Sequence, residues 1–180
     1  MTDAKGSKST PVPLHGGAVA AILKLLNHQV LMTLATNDPD GQPHVSTVGY
    51  ANDGLNIYFV TARDSEKRAN LLADPRASVA IRGRAEEGEA IGVSIEGRAT
   101  AITNADEINA LNAMVQARTP DQAPFAPGHD DAVVFKLVPH MIKAVAVVEG
   151  HSRAQSFSIG DTEAATQGQA YVPSAIARLF

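Results

Sequence analysis

The sequence contains no cysteine and no tryptophan, and aromatic residues of every kind are few. Without cysteine the chain can form no disulfide, no thiolate zinc site and no cysteine-ligated iron–sulfur cluster, and it has no cysteine nucleophile. Five Phe and three Tyr among 180 residues are too few for the stacking platforms that bind single-stranded nucleic acid. These absences exclude several classes of enzyme and of binding protein.

Positive charge is scarce as well. The chain has 15 Lys and Arg against 19 Asp and Glu, which gives a net charge of −4 and disfavours non-specific binding to nucleic acid. No apolar run approaches the roughly 18 residues of a membrane helix, and the richest stretch, 16–26, is interrupted by Lys24. We therefore expect a soluble, cytoplasmic protein that binds neither nucleic acid nor a membrane.

The usual catalytic motifs are missing too. The sequence has no Gly-x-Gly-x-x-Gly, no Walker loop and no Gly-x-Ser-x-Gly elbow. The six histidines show no metal-ligand spacing, and His129-Asp130-Asp131 is more typical of a polar surface loop than of a metal site. We predict no catalytic side chain and no metal site.

Turn signals and alternating residues predict a mainly β protein with peripheral helices. Asp40-Gly41 and Asp53-Gly54 supply the positive φ that tight hairpins require. Helices are predicted at 16–26, at 64–74 and from 104 onward, the last with the spacing of a capping box. Six or seven strands with isolated helices favour an antiparallel Greek-key barrel with the helices outside. The predicted strands are 30–36, 44–51, 55–59, 77–81, 91–95, 133–138 and 142–148, the last two separated by Pro139.

The segment 61–71 concentrates groups that bind anions. A strand ends at its start and a helix begins shortly afterwards, so free backbone N–H groups and the positive end of the helix dipole converge there. Two interpretations remain open from the residues alone: a phosphate site, or a capped helix whose basic residues pair with neighbouring carboxylates. The groups concerned are the hydroxyls of Thr61 and Ser65 and the cations of Arg63, Lys67 and Arg68.

A set of short motifs between residues 29 and 107 occurs in a fixed order, and the ordered set is more specific than any member alone. With it the chain resembles the pyridoxamine 5′-phosphate oxidase-like split-barrel family, and the likeness extends more loosely to residue 148. The motifs are Leu34-Ala35-Thr36, Gly41-Gln42-Pro43-His44-Val45-Ser46-Thr47-Val48, Ile57-Tyr58-Phe59-Val60-Thr61, Ser65-x-Lys67-x-x-Asn70-Leu71, Asp74-Pro75-Arg76-Ala77-Ser78-Val79 and Ile95-Glu96-Gly97-Arg98-Ala99.

The resemblance implies a homodimer that binds FMN, or less commonly the deazaflavin F420, in clefts between its subunits. It implies a small-molecule substrate or electron donor, with the hydride chemistry supplied by the flavin. In the family a Thr-x3-Ser-x-Lys element holds the phosphate and the preceding strand lines the isoalloxazine ring. The implied cofactor residues are Ser46, Thr47 and Val48 on the ring side and Thr61, Ser65 and Lys67 on the phosphate side. Arg63 is added to the phosphate side because of its positive charge beside the helix start.

Two departures from the family pattern bear on the substrate. Pyridoxamine phosphate oxidases have an arginine near the position of Ser46 and an Arg-x-His element near the C-terminus, whereas this tail contains His151-Ser152-Arg153. The departures argue against the vitamin B6 reaction and not against a flavin. Besides a flavin-dependent oxidoreductase, two alternatives stay open: a non-catalytic flavin or haem carrier or redox sensor, and an interaction domain without a cofactor.

The chain is expected to divide into three segments. Residues 1–15 are polar and carry two prolines, which is typical of a flexible N-terminal arm. Residues 16–150 form the barrel domain. Residues 151–180 form a polar tail that packs on the barrel or on the second subunit, with a short helix at 174–179.

Overall fold

The computed structural model describes residues 10–83, 90–118, 120, 131–148 and 151–160. These residues form eight strands and three helices. In chain order they are β1 (Val12–Pro13), α1 (Gly16–His28), β2 (Leu31–Asn37), β3 (Pro43–Asp53), β4 (Asn56–Ala62), α2 (Glu66–Ala73), β5 (Arg76–Gly83), β6 (Ala90–Ala101), α3 (Ala105–Arg118), β7 (Ala132–Val148) and β8 (His151–Ser158).

Strands β2 to β7 close into a six-stranded antiparallel barrel. Their order is β7-β4-β3-β2-β5-β6, and a further pairing between β6 and β7 closes the ring. Both predicted hairpin turns contain a glycine in the left-handed region, with φ of 83° at Gly41 and 55° at Gly54. The mainly β split-barrel fold predicted from the sequence is confirmed.

Alternating apolar residues fill the barrel, and the helices cover its outside. Phe59 and Phe135 stack in the interior with ring centroids 5.7 Å apart. Helix α1 contributes buried Ile22 and Leu26 to the same core. Helix α3 packs on β4 and β7 in a separate cluster built from Tyr58, Leu111, Val115 and Val134.

The structure corrects the prediction of two strands on either side of Pro139, because β7 runs unbroken through this proline. A proline has no N–H to donate and is tolerated in a sheet at a bulge. The register of β6 against β7 shifts at this point, between Glu96 and Gly97. Only glycine fits at position 97, because a Cβ there would lie 2.3 Å from the carbonyl oxygen of Val138.

Strand β8 is absent from the predicted elements, although it pairs with the second half of β7. Its outer neighbour is β1, which pairs with it in parallel. Most of β8 is exposed or half-buried and only Phe157 is buried, so it lacks the alternation that marks a strand in sequence. The division into three segments stays a prediction, and the predicted helix at 174–179 lies outside the described residues.

Candidate functional site

The barrel opens where β3 and β4 part. Residues 43–49 of β3 pair with β2, and the ladder between β3 and β4 extends only from Tyr50 to Asp53. On its other edge, β4 pairs with the first half of β7 over residues 57–62. Within the described residues, no strand therefore covers the second edge of residues 43–49, and we call this opening the split.

Helix α2 lies beside the split and is fixed to β2 and β3 by polar contacts. Asn70 of α2 is buried, and its Nδ2 donates to Thr36 Oγ1 at 3.2 Å. At the start of the helix, Glu66 Oε2 lies 3.3 Å from His44 Nε2 on β3. The first turn of α2 therefore adjoins the first residues of β3. Leu72, one of the apolar residues of the helix pattern, is 57% exposed, so α2 buries Asn70 and Leu71 instead.

Buried polar atoms without partners concentrate at the split. In the described residues five buried side-chain N or O atoms have no hydrogen-bond partner, and only Asn56 Oδ1 lies outside the segments that border the split. An unsatisfied buried polar group costs about 1–3 kcal/mol, so such a cluster indicates a missing ligand more than a packing defect. The other four atoms are His44 Nδ1, Ser46 Oγ, Thr61 Oγ1 and Arg68 Nε.

The predicted phosphate-side residues lie at the end of β4 and in the first turn of α2. Thr61 is 2% exposed, and its hydroxyl has no partner. Ser65 is in the N-cap position but does not cap the helix, because its hydroxyl donates to Ala62 O at 2.7 Å. Lys67 is half-buried and makes no ion pair or hydrogen bond with any residue that the structure describes. Arg63 is exposed, and its backbone N–H donates to Asp131 O at 2.7 Å.

The predicted ring-side residues occupy both faces of β3. Ser46 and Val48 are half-buried and share one face, while Thr47 is exposed on the other. This follows from strand geometry, in which successive side chains point to opposite faces. Ser46 and Thr47 are therefore not equivalent, and only Ser46 has a buried hydroxyl without a partner.

Two residues at the split, His44 and Arg68, were not among the predicted cofactor residues. His44 shares the half-buried face of β3 with Ser46, which the two-residue period of the strand already indicated. Arg68 Nη1 donates to Arg63 O at 3.0 Å and so ties the loop before α2 to the helix. By contrast, His151 and Arg153 are exposed on β8, beside the second half of β7.

The charges around the first turn of α2 favour an anion. Residues 63–68 contain three cations, Arg63, Lys67 and Arg68, and two carboxylates. The carboxylates are those of Asp64 and Glu66, and that of Glu66 is in contact with His44. The backbone N–H groups at a helix N-terminus add further donors and a partial positive charge. Chemically, the arrangement suits a phosphate group. The described residues contain no group of three or more potential metal ligands and no helix with the length and apolar character needed to cross a membrane.

Comparison with known sequences identifies the family. Residues 18–146 match the sequence profile of pyridoxamine 5′-phosphate oxidase. The chain belongs to this family. No curated protein sequence matches it significantly.

Several solved structures of other proteins have the same barrel fold as this chain. A heme binding protein from Mycobacterium smegmatis superposes with a TM-score of 0.68 at 25% identity, over 84% of this chain and 61% of its own length. This chain thus spans less than two thirds of that protein. A putative pyridoxamine 5′-phosphate oxidase from Listeria innocua gives 0.54 at 23% identity over 69% and 94% of the two chains. A FAD-binding protein from Mesorhizobium loti gives 0.57 at 19% identity over 70% and 92%.

Proposed function

We propose that this protein binds FMN at the split and acts as a flavin-dependent oxidoreductase on a small molecule. The observation that supports this most is the set of unpartnered buried donors and acceptors beside α2. A phosphate monoester carries a charge of about −1.5 to −2 at neutral pH and accepts several hydrogen bonds. It would therefore satisfy groups that the described protein leaves without partners.

On the phosphate side, each residue has a distinct part in this proposal. The Thr61 hydroxyl donates one hydrogen bond, and the Lys67 ammonium supplies charge from the first turn of α2. The Ser65 hydroxyl, which donates to Ala62 O, reorients toward the phosphate or accepts from a bound water. Arg63 lies at the exposed rim of the site and adds attraction at longer range. Backbone N–H groups of α2 complete the pocket.

On the ring side, the uncovered edge of residues 43–49 offers backbone donors and acceptors to the flavin. Ser46 presents its buried hydroxyl to this space, and Val48 supplies an apolar contact that is continuous with the core. When bound, the flavin supplies hydride and electron transfer. The chain positions the ring, restricts water and leaves one ring face to the substrate, so no side chain has to act as a general base.

We infer that the working form is a homodimer, with the second subunit covering the outer face of β2 and β3. Val30, Leu31 and Val45 are 56%, 59% and 60% exposed on this side of the barrel. Leu31 and Val45 share the outer face of the β2–β3 ladder, and exposed apolar residues on one face are typical of interaction surfaces. Sedimentation with FMN should give the mass of two 18.8 kDa chains, and the mass of one chain would exclude the dimer. The cytoplasmic location expected from the sequence belongs to the same proposal.

Haem binding without turnover is the second candidate function, supported by the likeness to the heme binding protein of Mycobacterium smegmatis at 25% identity. The two candidates make different demands on the split. A haem needs an axial ligand, and His44 is the histidine at this opening, with its Nδ1 unpartnered. Thr61 and Lys67 do not separate the two candidates, because the propionate groups of a haem are anions that accept hydrogen bonds as a phosphate does.

The absorption and fluorescence spectra of the cofactor released from the purified protein test the proposal. FMN should appear in the released fraction or bind on addition, and a nicotinamide donor should bleach its absorption. A deazaflavin spectrum would assign F420 instead. A Soret band that His44→Ala removes would establish the haem alternative, and a colourless protein that ignores added flavin would refute both.

A further inference from the structure

A cavity lies on the outer face of the barrel, one strand away from the split. Strands β2, β5, β6 and β7 enclose a cavity of about 340 Å³ there, whereas the split lies between β3 and β4. A volume of this size is at the lower end of the range for small-molecule sites. Its lining consists of Ala35, Asn37, Arg76, Ala77, Ser78, Glu96, Gly97, Arg98 and His140.

Two arginines lie side by side at this cavity. Arg76 of β5 and Arg98 of β6 are direct partners in the antiparallel ladder, and both are exposed. Like charges in directly opposite positions destabilise a sheet. Asp74 neutralises the charge of Arg76 only. Arg76 donates to Asp74 Oδ2 from Nε at 2.9 Å and from Nη2 at 2.6 Å. These hydrogen bonds hold the pKa of the Asp74 carboxyl well below its usual range.

Arg98 has no such partner. Its guanidinium makes no ion pair or hydrogen bond with any residue in the described ranges. The nearest carboxylate along the strand is Glu96, two positions away on the same exposed face, and it is not in ion-pair contact with Arg98. Asp74 neutralises Arg76, so the guanidinium of Arg98 is the charge that a bound anion would neutralise.

A β-bulge brings a further polar side chain to the same cavity. Gly97 pairs with Pro139 and Glu96 pairs with Met141, so His140 is an extra residue on β7. A bulge redirects the side chain of its extra residue, and here the imidazole of His140 lines the cavity.

We propose that this cavity binds a small organic oxyanion, whose carboxylate or phosphate group lies between Arg76 and Arg98. Arginine suits this role because its planar fork matches both kinds of oxyanion. The Ser78 hydroxyl and the His140 imidazole supply further donors, and Glu96 accepts from an N–H or O–H elsewhere on the same molecule. The cavity shares no residue with the split, but Ala35 and Asn37 belong to the face of β2 that the proposed second subunit covers, so the site adjoins that interface.

Backbone and arginine side-chain NMR signals of the full chain, titrated with inorganic phosphate and separately with acetate, test this site. Phosphate should also enter the split, so each site is followed by its own signals: Arg98 Nε–H, Ser78 and His140 here, and Ser65 and Lys67 there. The oxyanion should shift the signals of Arg98, Ser78 and His140 with one dissociation constant, separate from that of the signals at the split. The probe that binds more tightly, phosphate or acetate, shows whether the ligand group is a phosphate or a carboxylate.

Three variants separate the site from general electrostatics. Arg98→Gln should weaken binding at the cavity about tenfold and leave the signals of Ser65 and Lys67 responsive. Glu96→Gln should strengthen it several-fold, because it removes the carboxylate beside the anion. Arg82→Gln is the matched control, since Arg82 is exposed on the same face of β5 but lies opposite Gly92 rather than a cation.

The proposal is overturned by any of three results. Neither probe shifts the cavity signals; Arg82→Gln weakens binding as much as Arg98→Gln; or Glu96→Gln leaves the affinity unchanged or lower. None of these depends on whether FMN binds at the split. A failure of flavin binding with intact oxyanion shifts at the cavity would refute only the proposed function.

Discussion

Two sides of the barrel differ in how completely the backbones of neighbouring strands are paired. On one side, β6 pairs with β7 along its whole length from Ala90 to Ala101. On the other, β3 and β4 pair only from Tyr50 to Asp53 and then part. The buried polar atoms without partners border the side that parts, with Asn56 as the exception. The comparison teaches that the closed side satisfies its backbone within the barrel, whereas the split side leaves groups open that the proposed cofactor would use.

The largest expected effect comes from the closed side. Phe135 is fully buried and stacks on Phe59, so Phe135→Ala should lower the free energy of unfolding by about 3–5 kcal/mol. Urea unfolding of the cofactor-free protein measures this. Leu72→Ala is the control, because Leu72 is 57% exposed and a surface change of this kind stays within about 0.5 kcal/mol. A loss under 1 kcal/mol for Phe135→Ala would mean that the closed side is not the main source of stability.

The next effect concerns the charge at the split. Lys67→Ala should weaken FMN by a factor of roughly 10 to 150, because a charge-assisted hydrogen bond contributes about 1.5–3 kcal/mol. Riboflavin, which has no phosphate, should bind the variant as it binds the original protein. Fluorescence titration with both ligands measures the difference. Lys143→Ala, an exposed lysine on β7, is the control. Equal losses for FMN and riboflavin would assign Lys67 to the ring or to the fold.

A smaller effect separates stability from binding at a single atom. Thr61 is buried with an unpartnered hydroxyl, so Thr61→Val should leave the cofactor-free stability unchanged or raise it by about 1 kcal/mol. The same change should weaken FMN about tenfold, because the donor to the phosphate is lost. The control is Thr100→Val, because Thr100 is exposed on β6, and this change should alter neither the stability nor the affinity for FMN. A marked loss of stability in Thr61→Val would show that the hydroxyl already has a structural partner.

The smallest effect is a pH dependence at the end of the barrel that α1 covers. Burial raises the pKa of Tyr50, whose hydroxyl donates to Leu26 O at 2.9 Å. The unfolded chain ionises this tyrosine near pH 10 while the folded chain does not, so its stabilising contribution is complete below about pH 10 and is lost as the pH rises above it. Tyr50→Phe should lose about 0.5–1.5 kcal/mol at neutral pH and show a shallower fall of stability above pH 10. Parallel curves for the two proteins would contradict this.

Much of the fold could be predicted from local signals. The Asp-Gly turns at Gly41 and Gly54, the alternation of the central strands and the cap at Asn104, which accepts from Asp106 N at 2.8 Å, all act over a few residues. The continuity of β7 through Pro139 could not be predicted from local signals, because it depends on a register shift against β6. Strand β8, whose outer neighbour is the two-residue strand β1, has too little buried surface to leave a pattern in the sequence.

The candidate site divides in the same way. The segment 61–71 was identified from residues that are neighbours in sequence, and the structure places it beside β3. The contact between His44 and Glu66 and the isolation of the Ser46 and Thr61 hydroxyls depend on where the ladder between β3 and β4 ends. That position is set by the closure of the whole barrel and has no local signal.

Backbone hydrogen exchange with and without FMN tests most directly the claim that the split holds the flavin. The account predicts that FMN slows exchange of the N–H groups of residues 43–49 that point away from β2 and of the first N–H groups of α2. It should change β6 less, because the ladders with β5 and β7 already protect that strand. Riboflavin should protect 43–49 without protecting α2. Bound FMN that protects neither segment would contradict the account.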